Sequence, residues 1–313
     1  MIGLLRAELL RAWSRRVVRV LAIAVAISIV VSMGIATYNG LRNSADTQYR
    51  QALASCLRGD FTGSNVPPPY KNLAAYCADQ VRPENFASNE LRWSSLPDVL
   101  VSGTSSIVVL LGVLVGATLA GADWTAGTMG TLLTWEPRRI RVHLVRVLVT
   151  VAVVLVFTIL VQVLLIAVFR IAVAIAGSAE GTPRGMPRHL IEIVSRVSVV
   201  AALFGVVAHA VATLGRSTVA ALGVIFGYLI VAEGFVAGLW TAIQPRLLIR
   251  AAEVVISQQP LLGRTSVSSS NGGVFIQSQE VLLSVSGGWV VLGVWVVALT
   301  ALALLVFRAR DVT

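Results

Sequence analysis

Apolar residues fall into six long runs along this chain, at roughly 17–38, 97–120, 143–176, 190–214, 218–240 and 287–307. Arg, Asp, Glu and Pro concentrate in the segments between them. Each run offers about 20 residues, the length at which an α-helix crosses a ~30 Å hydrocarbon core. Backbone N–H and C=O groups meet no water there, so each run must close its own hydrogen bonds as a helix. The pattern predicts an all-α polytopic membrane protein with six transmembrane helices, forming a single transmembrane domain over residues 1–313.

Three polar-interrupted segments carry patterns of their own. In residues 2–16, Ile2, Leu5, Leu9 and Trp13 share one helical face and Glu8, Arg11 and Arg15 the opposite one. That spacing predicts an N-terminal amphipathic interfacial helix in the headgroup plane, its arginines toward anionic lipid. Residues 121–141 read as a helical turn leading into a surface helix that stops near Pro137, which disfavours helix in the residue before it. Leu132, Leu133 and Trp135 would form an apolar knob there, with Asp123, Glu136 and the arginines at its rim. Within 241–286, Gln244 and Pro245 open a predicted helix, Arg246 to Ser257, with an Arg250–Glu253 pair at i, i+3 spacing. A Ser/Gly-rich link, Ser266 to Gly273, follows; the helix is expected on the membrane surface or re-entering it from the outer side.

Charge orients the spans. Arg6, Arg11, Arg15, Arg16 and Arg19 precede the first; Arg138, Arg139, Arg141 and Arg146 follow the second; Arg216 links the fourth and fifth; Arg308 and Arg310 follow the last. With six crossings all lie on one side, which the positive-inside rule makes the cytoplasm. Both termini are then cytoplasmic, in the inner or plasma membrane. The loop 39–96 balances its basic and acidic residues and faces outward. The first run is longer than the apolar core of a cleavable signal and reads as a signal anchor. The formal charge of +10 is therefore a topology signal. Its arginines are not gathered on an aromatic-studded soluble face, so no nucleic acid is expected as a partner. Cys56 and Cys77 share the outer loop, where an oxidising compartment favours a disulfide. No histidine accompanies them, and no metal is expected.

Several chemistries are excluded. The single lysine, Lys71, lies in the outer loop, so no Walker A motif exists in which a lysine reaches nucleotide phosphates. His143, His189 and His209 are dispersed and belong to no zinc-protease or hydrolase motif. What remains is a conduit, a sensor or scaffold built on the disulfide-closed loop, or a lipid-modifying membrane enzyme. Charged residues inside spans are functional candidates by default. Glu233 is expected in the outer leaflet, where Arg196 (itself four residues from Glu192) or Arg170 would pair with it at a gate or along a substrate pathway.

The chain resembles the type-2 ABC exporter permeases, the membrane subunits of bacterial two-component exporters. The resemblance rests on the Leu-Leu-Arg-Ala-Glu-Leu-Leu-Arg segment before span one and on the string from Asp123 through Gly127-Thr128 and Leu132-Leu133 to Pro137-Arg138. The six-span plan with a long link before the last span adds to it. The family usually carries Glu at the place of Asp123 and Ser-Arg at that of Arg138-Arg139. The resemblance implies that Asp123, Gly127, Thr128, Leu132, Leu133, Pro137 and Arg138 couple to a separate ABC ATP-binding subunit. It also implies a second permease subunit, identical or homologous, with ATP and Mg on the partner ATPase, no cofactor in this chain and no enzymatic activity of its own. The implied activity is efflux of a hydrophobic or amphipathic drug, antibiotic or lipid.

Overall fold

A computed structural model describes residues 8–11, 15–42, 45–59, 72–82, 91–135, 138–179, 181–263, 267–270, 273–276 and 281–309. The protein is an all-α polytopic membrane protein. Six helices are long and apolar enough to cross a bilayer: Arg16–Arg42, Trp93–Thr125, Arg139–Ala176, Met186–Gly215, Thr218–Leu239 and Val285–Ala309. Each coincides with one of the six apolar runs to within about five residues at either end.

Element labels follow chain order: α1 (Arg16–Arg42), α2 (Ala45–Leu57), α3 (Leu73–Gln80), β1 (Leu91–Arg92), α4 (Ser105–Thr125), α5 (Thr128–Trp135), α6 (Arg139–Ala176), β2 (Gly177–Ser178) and α7 (Met186–Gly215). Then come α8 (Thr218–Tyr228), α9 (Leu248–Ser257), β3 (Leu261–Leu262), β4 (Val267–Ser270), β5 (Gly273–Ile276), β6 (Val281–Leu283) and α10 (Val285–Ala309). Two spans are wider than regular α-helix for part of their length, α4 being entered through a π-helical stretch, Val99–Thr104, and α8 leaving through another, Leu229–Val236.

The chain divides into two compact units. No linker marks the division in the sequence, because α1 and α6 are continuous helices that contribute residues to both. One unit comprises residues 24–97 and 163–186. Here α2 and α3 are joined by the predicted Cys56–Cys77 disulfide, and β1 pairs in parallel with β2. Arg170 lies over the Trp93 ring, 5.3 Å from its centroid.

The other unit comprises residues 1–23, 98–162 and 187–313. Its core is the crossing of α4 on α7. A Cβ on Gly112 would strike the Ala201 carbonyl, and one on Gly116 the Gly205 carbonyl. Glycines four residues apart let two backbones meet where lipid gives side chains no hydrophobic reason to associate. Buried polar groups tie α6 to α7: Gln162 Nε2 donates to Ser198 Oγ at 2.8 Å. Thr150 Oγ1 and His209 Nδ1 are also 2.8 Å apart. Since the Thr150 hydroxyl donates to the Arg146 carbonyl, its one proton is committed and Nδ1 of His209 carries the hydrogen.

The predicted helix in 241–286 is present, but shorter and differently flanked. A 3-10 turn occupies Thr241–Arg246 and α9 begins at Leu248. Its buried face, including Ala251, Val254 and Val255, packs on α10, where Gly288 admits the Ala251 backbone. The Arg250–Glu253 pair forms at 3.0 Å. Beyond α9 the Ser/Gly-rich link is no simple tether: β4 and β5 pair antiparallel there, as do β3 and β6.

Candidate functional site

The most charged interior of the molecule lies at one end of the larger unit, around Asp123. This aspartate sits near the C-terminal end of α4 and is 4 % exposed. It was expected at an exposed rim; three arginines from two distant segments bury it instead. Arg15 donates to Asp123 Oδ1 at 2.7 Å, and Arg11 lies 3.3 Å from the same oxygen. Arg146, on α6, bonds to Oδ2 and donates to the Leu119 carbonyl at 3.2 Å. Glu8, itself buried, lies 4.0 Å from Arg11. Three guanidinium groups thus face two carboxylates, and a void of about 10 Å³ among Glu8, Arg15, Arg146, Thr150 and His209 has room for little more than one water. Burial first, and then the charge of Arg11, lowers the Arg15 guanidinium below its ordinary range.

This geometry corrects the expected role of the N-terminal polar face. Arg11 and Arg15 turn inward to Asp123 rather than toward lipid, because a buried carboxylate left without a cation beside it is costly. Residues 8–11 are helical and Arg15 is not. Leu9 is half-buried; Leu5 and Trp13 lie outside the described residues.

The segment after α4 is built from the same residues. Gly127 has φ +67, and its N–H bonds the Trp124 carbonyl at 3.2 Å. This is the left-handed glycine that ends a helix. Thr128 opens α5, accepts from Arg11 at 2.9 Å and bonds the Asp123 carbonyl at 3.3 Å. The turn between the two helices is therefore clamped from the N-terminal side. Arg138 is exposed just before α6. The side chains of Leu132, Leu133 and Trp135, and the whole of Glu136 and Pro137, lie outside the described residues.

Other basic residues predicted to share a side do converge on this end. The link between α7 and α8 sits against Gly121, whose Cβ would strike Thr218. Arg216, at φ +50, places its guanidinium 5.0 Å from the centroid of the Trp124 ring. Trp124 meets Phe307 edge-on at 6.1 Å. Arg139 donates to the Arg308 carbonyl at 3.1 Å, matching cation to helix C-terminus at the end of α10.

No protein-family model matches the chain, and no curated protein matches it.

Glu233, the expected gate residue, is engaged differently. Its Oε1 accepts from the Ile249 N–H at 2.6 Å and from the Tyr228 hydroxyl at 3.1 Å. The Tyr228 hydroxyl in turn accepts from the Leu248 N–H at 3.1 Å. Together they cap the N-terminus of α9, whose first N–H groups have no helical partner. Arg196 Nε donates to the Glu192 carbonyl, and Arg170 stands over Trp93. The expected arginine partner of Glu233 is thus replaced by one amide and a phenol, an arrangement invisible to spacing rules because Ile249 belongs to another element. Arg146 and Thr150 stand four residues apart on α6, but no sequence spacing connects them to His209 on α7.

Proposed function

We propose that this chain is the membrane-spanning permease subunit of an ABC exporter, coupled to a separate ATP-binding subunit that brings ATP and Mg. The observation that carries the reading is the clamp on Asp123. One carboxylate joins the N-terminal segment, the end of α4, the turn at Gly127-Thr128 and the start of α6. A force applied to α5 by a partner would be transmitted to three segments at once. The chain would serve as conduit, with a second permease subunit completing the pathway and hydrophobic or amphipathic cargo leaving the cell. The basic end would face the cytoplasm.

Affinity purification in detergent with mass spectrometry of co-purifying chains tests this. A near-stoichiometric ATP-binding subunit is expected with the wild type and lost on replacing Leu132 and Leu133 with Asp. A folded chain that brings down no ATPase would overturn it.

A further inference from the structure

The larger unit contains an apolar cavity of about 140 Å³ that the charge cluster and its coupling role do not involve. Val113 of α4, Phe204 and Val207 of α7, Ile225 of α8 and Trp295 of α10 line it. Only two lining side chains carry polar atoms, and both are committed elsewhere. The Tyr228 hydroxyl serves Glu233 and Leu248, and Trp295 Nε1 donates to the Arg246 carbonyl at 3.0 Å. The cavity therefore offers an occupant no donor or acceptor, and a polar ligand would forfeit its own hydrogen bonds on entering. An apolar cavity of about 150 Å³ stays dry and takes up benzene, so a space of this size suits roughly six carbons.

Its depth and its mouth identify the source of those carbons. Val224, at its edge, is 60 % exposed on the outer surface of a membrane-spanning helix. The lining residues Val224 to Leu229 begin six residues into α8, which starts at Thr218. At 1.5 Å per residue they lie about 9–16 Å from its end. That brackets the midplane of a ~30 Å hydrocarbon core, where acyl chains terminate. We infer that this cavity is a binding site for the terminal segment of a bilayer lipid's acyl chain. Leu248 lines the cavity as well, so the occupying chain packs against the first residue of the capped helix α9. The inference requires only that the chain spans a bilayer and is independent of the exporter reading.

Photolabelling tests it. The full-length protein is placed in phosphatidylcholine nanodiscs carrying a diazirine either at the end of one acyl chain or next to its carbonyl, and the labelled peptides are mapped. The chain-end probe is expected to label Val207, Val211 or Leu299, the carbonyl-proximal probe to miss them, and Val207→Phe to lose that label while keeping the label on Arg16–Arg42. Labelling confined to outward-facing residues, equal labelling by both probes, or an undiminished label in monodisperse Val207→Phe protein overturns the inference. Should Val207→Phe not fold, the wild-type comparison of the two probe positions decides alone.

Discussion

Asp123 is the residue on which most of the described charge turns. Removing one partner of a buried ion pair typically costs about 3–5 kcal/mol, because the remaining charges stay buried and unmatched. Asp123→Ala is therefore expected to lower the unfolding free energy by about that much, or to prevent folding, as read by thermal unfolding in detergent. The exposed Arg250–Glu253 pair provides the contrast: Arg250→Ala is expected to change stability by no more than ~1 kcal/mol. Glu233 makes a second residue-scale prediction. Losing a side-chain cap costs roughly 0.5–2 kcal/mol locally, so Glu233→Ala should speed hydrogen exchange at Leu248 and Ile249, while Glu233→Gln, which keeps an acceptor oxygen, should change it less. Unaltered exchange in Glu233→Ala would remove the capping role. Neither arrangement was legible from sequence. The partners of Asp123 lie more than a hundred residues upstream and 23 residues downstream, and no periodicity connects residues that meet only through tertiary packing.

At the scale of elements, the crossing of α4 on α7 depends on glycine rather than on side-chain interlock. Gly116→Leu is expected to force the two backbones apart and yield aggregated protein on size-exclusion chromatography. Gly223→Ala, where an added Cβ meets nothing within 4 Å, should be neutral or stabilise its helix by up to about 1 kcal/mol. In the smaller unit, breaking the Cys56–Cys77 link releases a loop of sequence separation 21. The double serine variant is expected to lose about 3 kcal/mol locally in the chain-entropy model, with faster proteolysis between Ala45 and Gln80 as the readout. Here sequence spoke more clearly. The spans, the disulfide and the helix ending at Ser257 all follow from local patterns of apolar runs, cysteines and amphipathic spacing. The π-helical stretches and the β4–β5 hairpin did not, since a widened turn leaves composition unchanged and a Ser/Gly-rich hairpin looks like a linker.

At the scale of the whole molecule, four separate basic segments meet at one end of the larger unit. Arg11 and Arg15, Arg139 and Arg146, Arg216 and the end of α10 meet through Asp123, Trp124 and Phe307. Several of the arginines that the sequence groups on one side of the spans also cement the helices there. Raising ionic strength should weaken this end little, because the pairs are largely shielded from mobile ions; a melting temperature that falls steeply between low and moderate salt would contradict that.

The helix α1 invites one last deduction. Only Val18 along it is buried, and apolar side chains from Val20 to Leu41 project outward, whereas α7 hides His209, Ser198 and Thr213 against its neighbours. The former satisfies its own backbone and carries no charged residue between Val20 and Tyr38, so it suits release from the translocation machinery as soon as it is made. The latter holds polar groups that a lone helix would expose to hydrocarbon, so its lateral exit should await the helices that shelter it. Biogenesis would then proceed unevenly: an early anchor, followed by delayed, collective entry of the polar core.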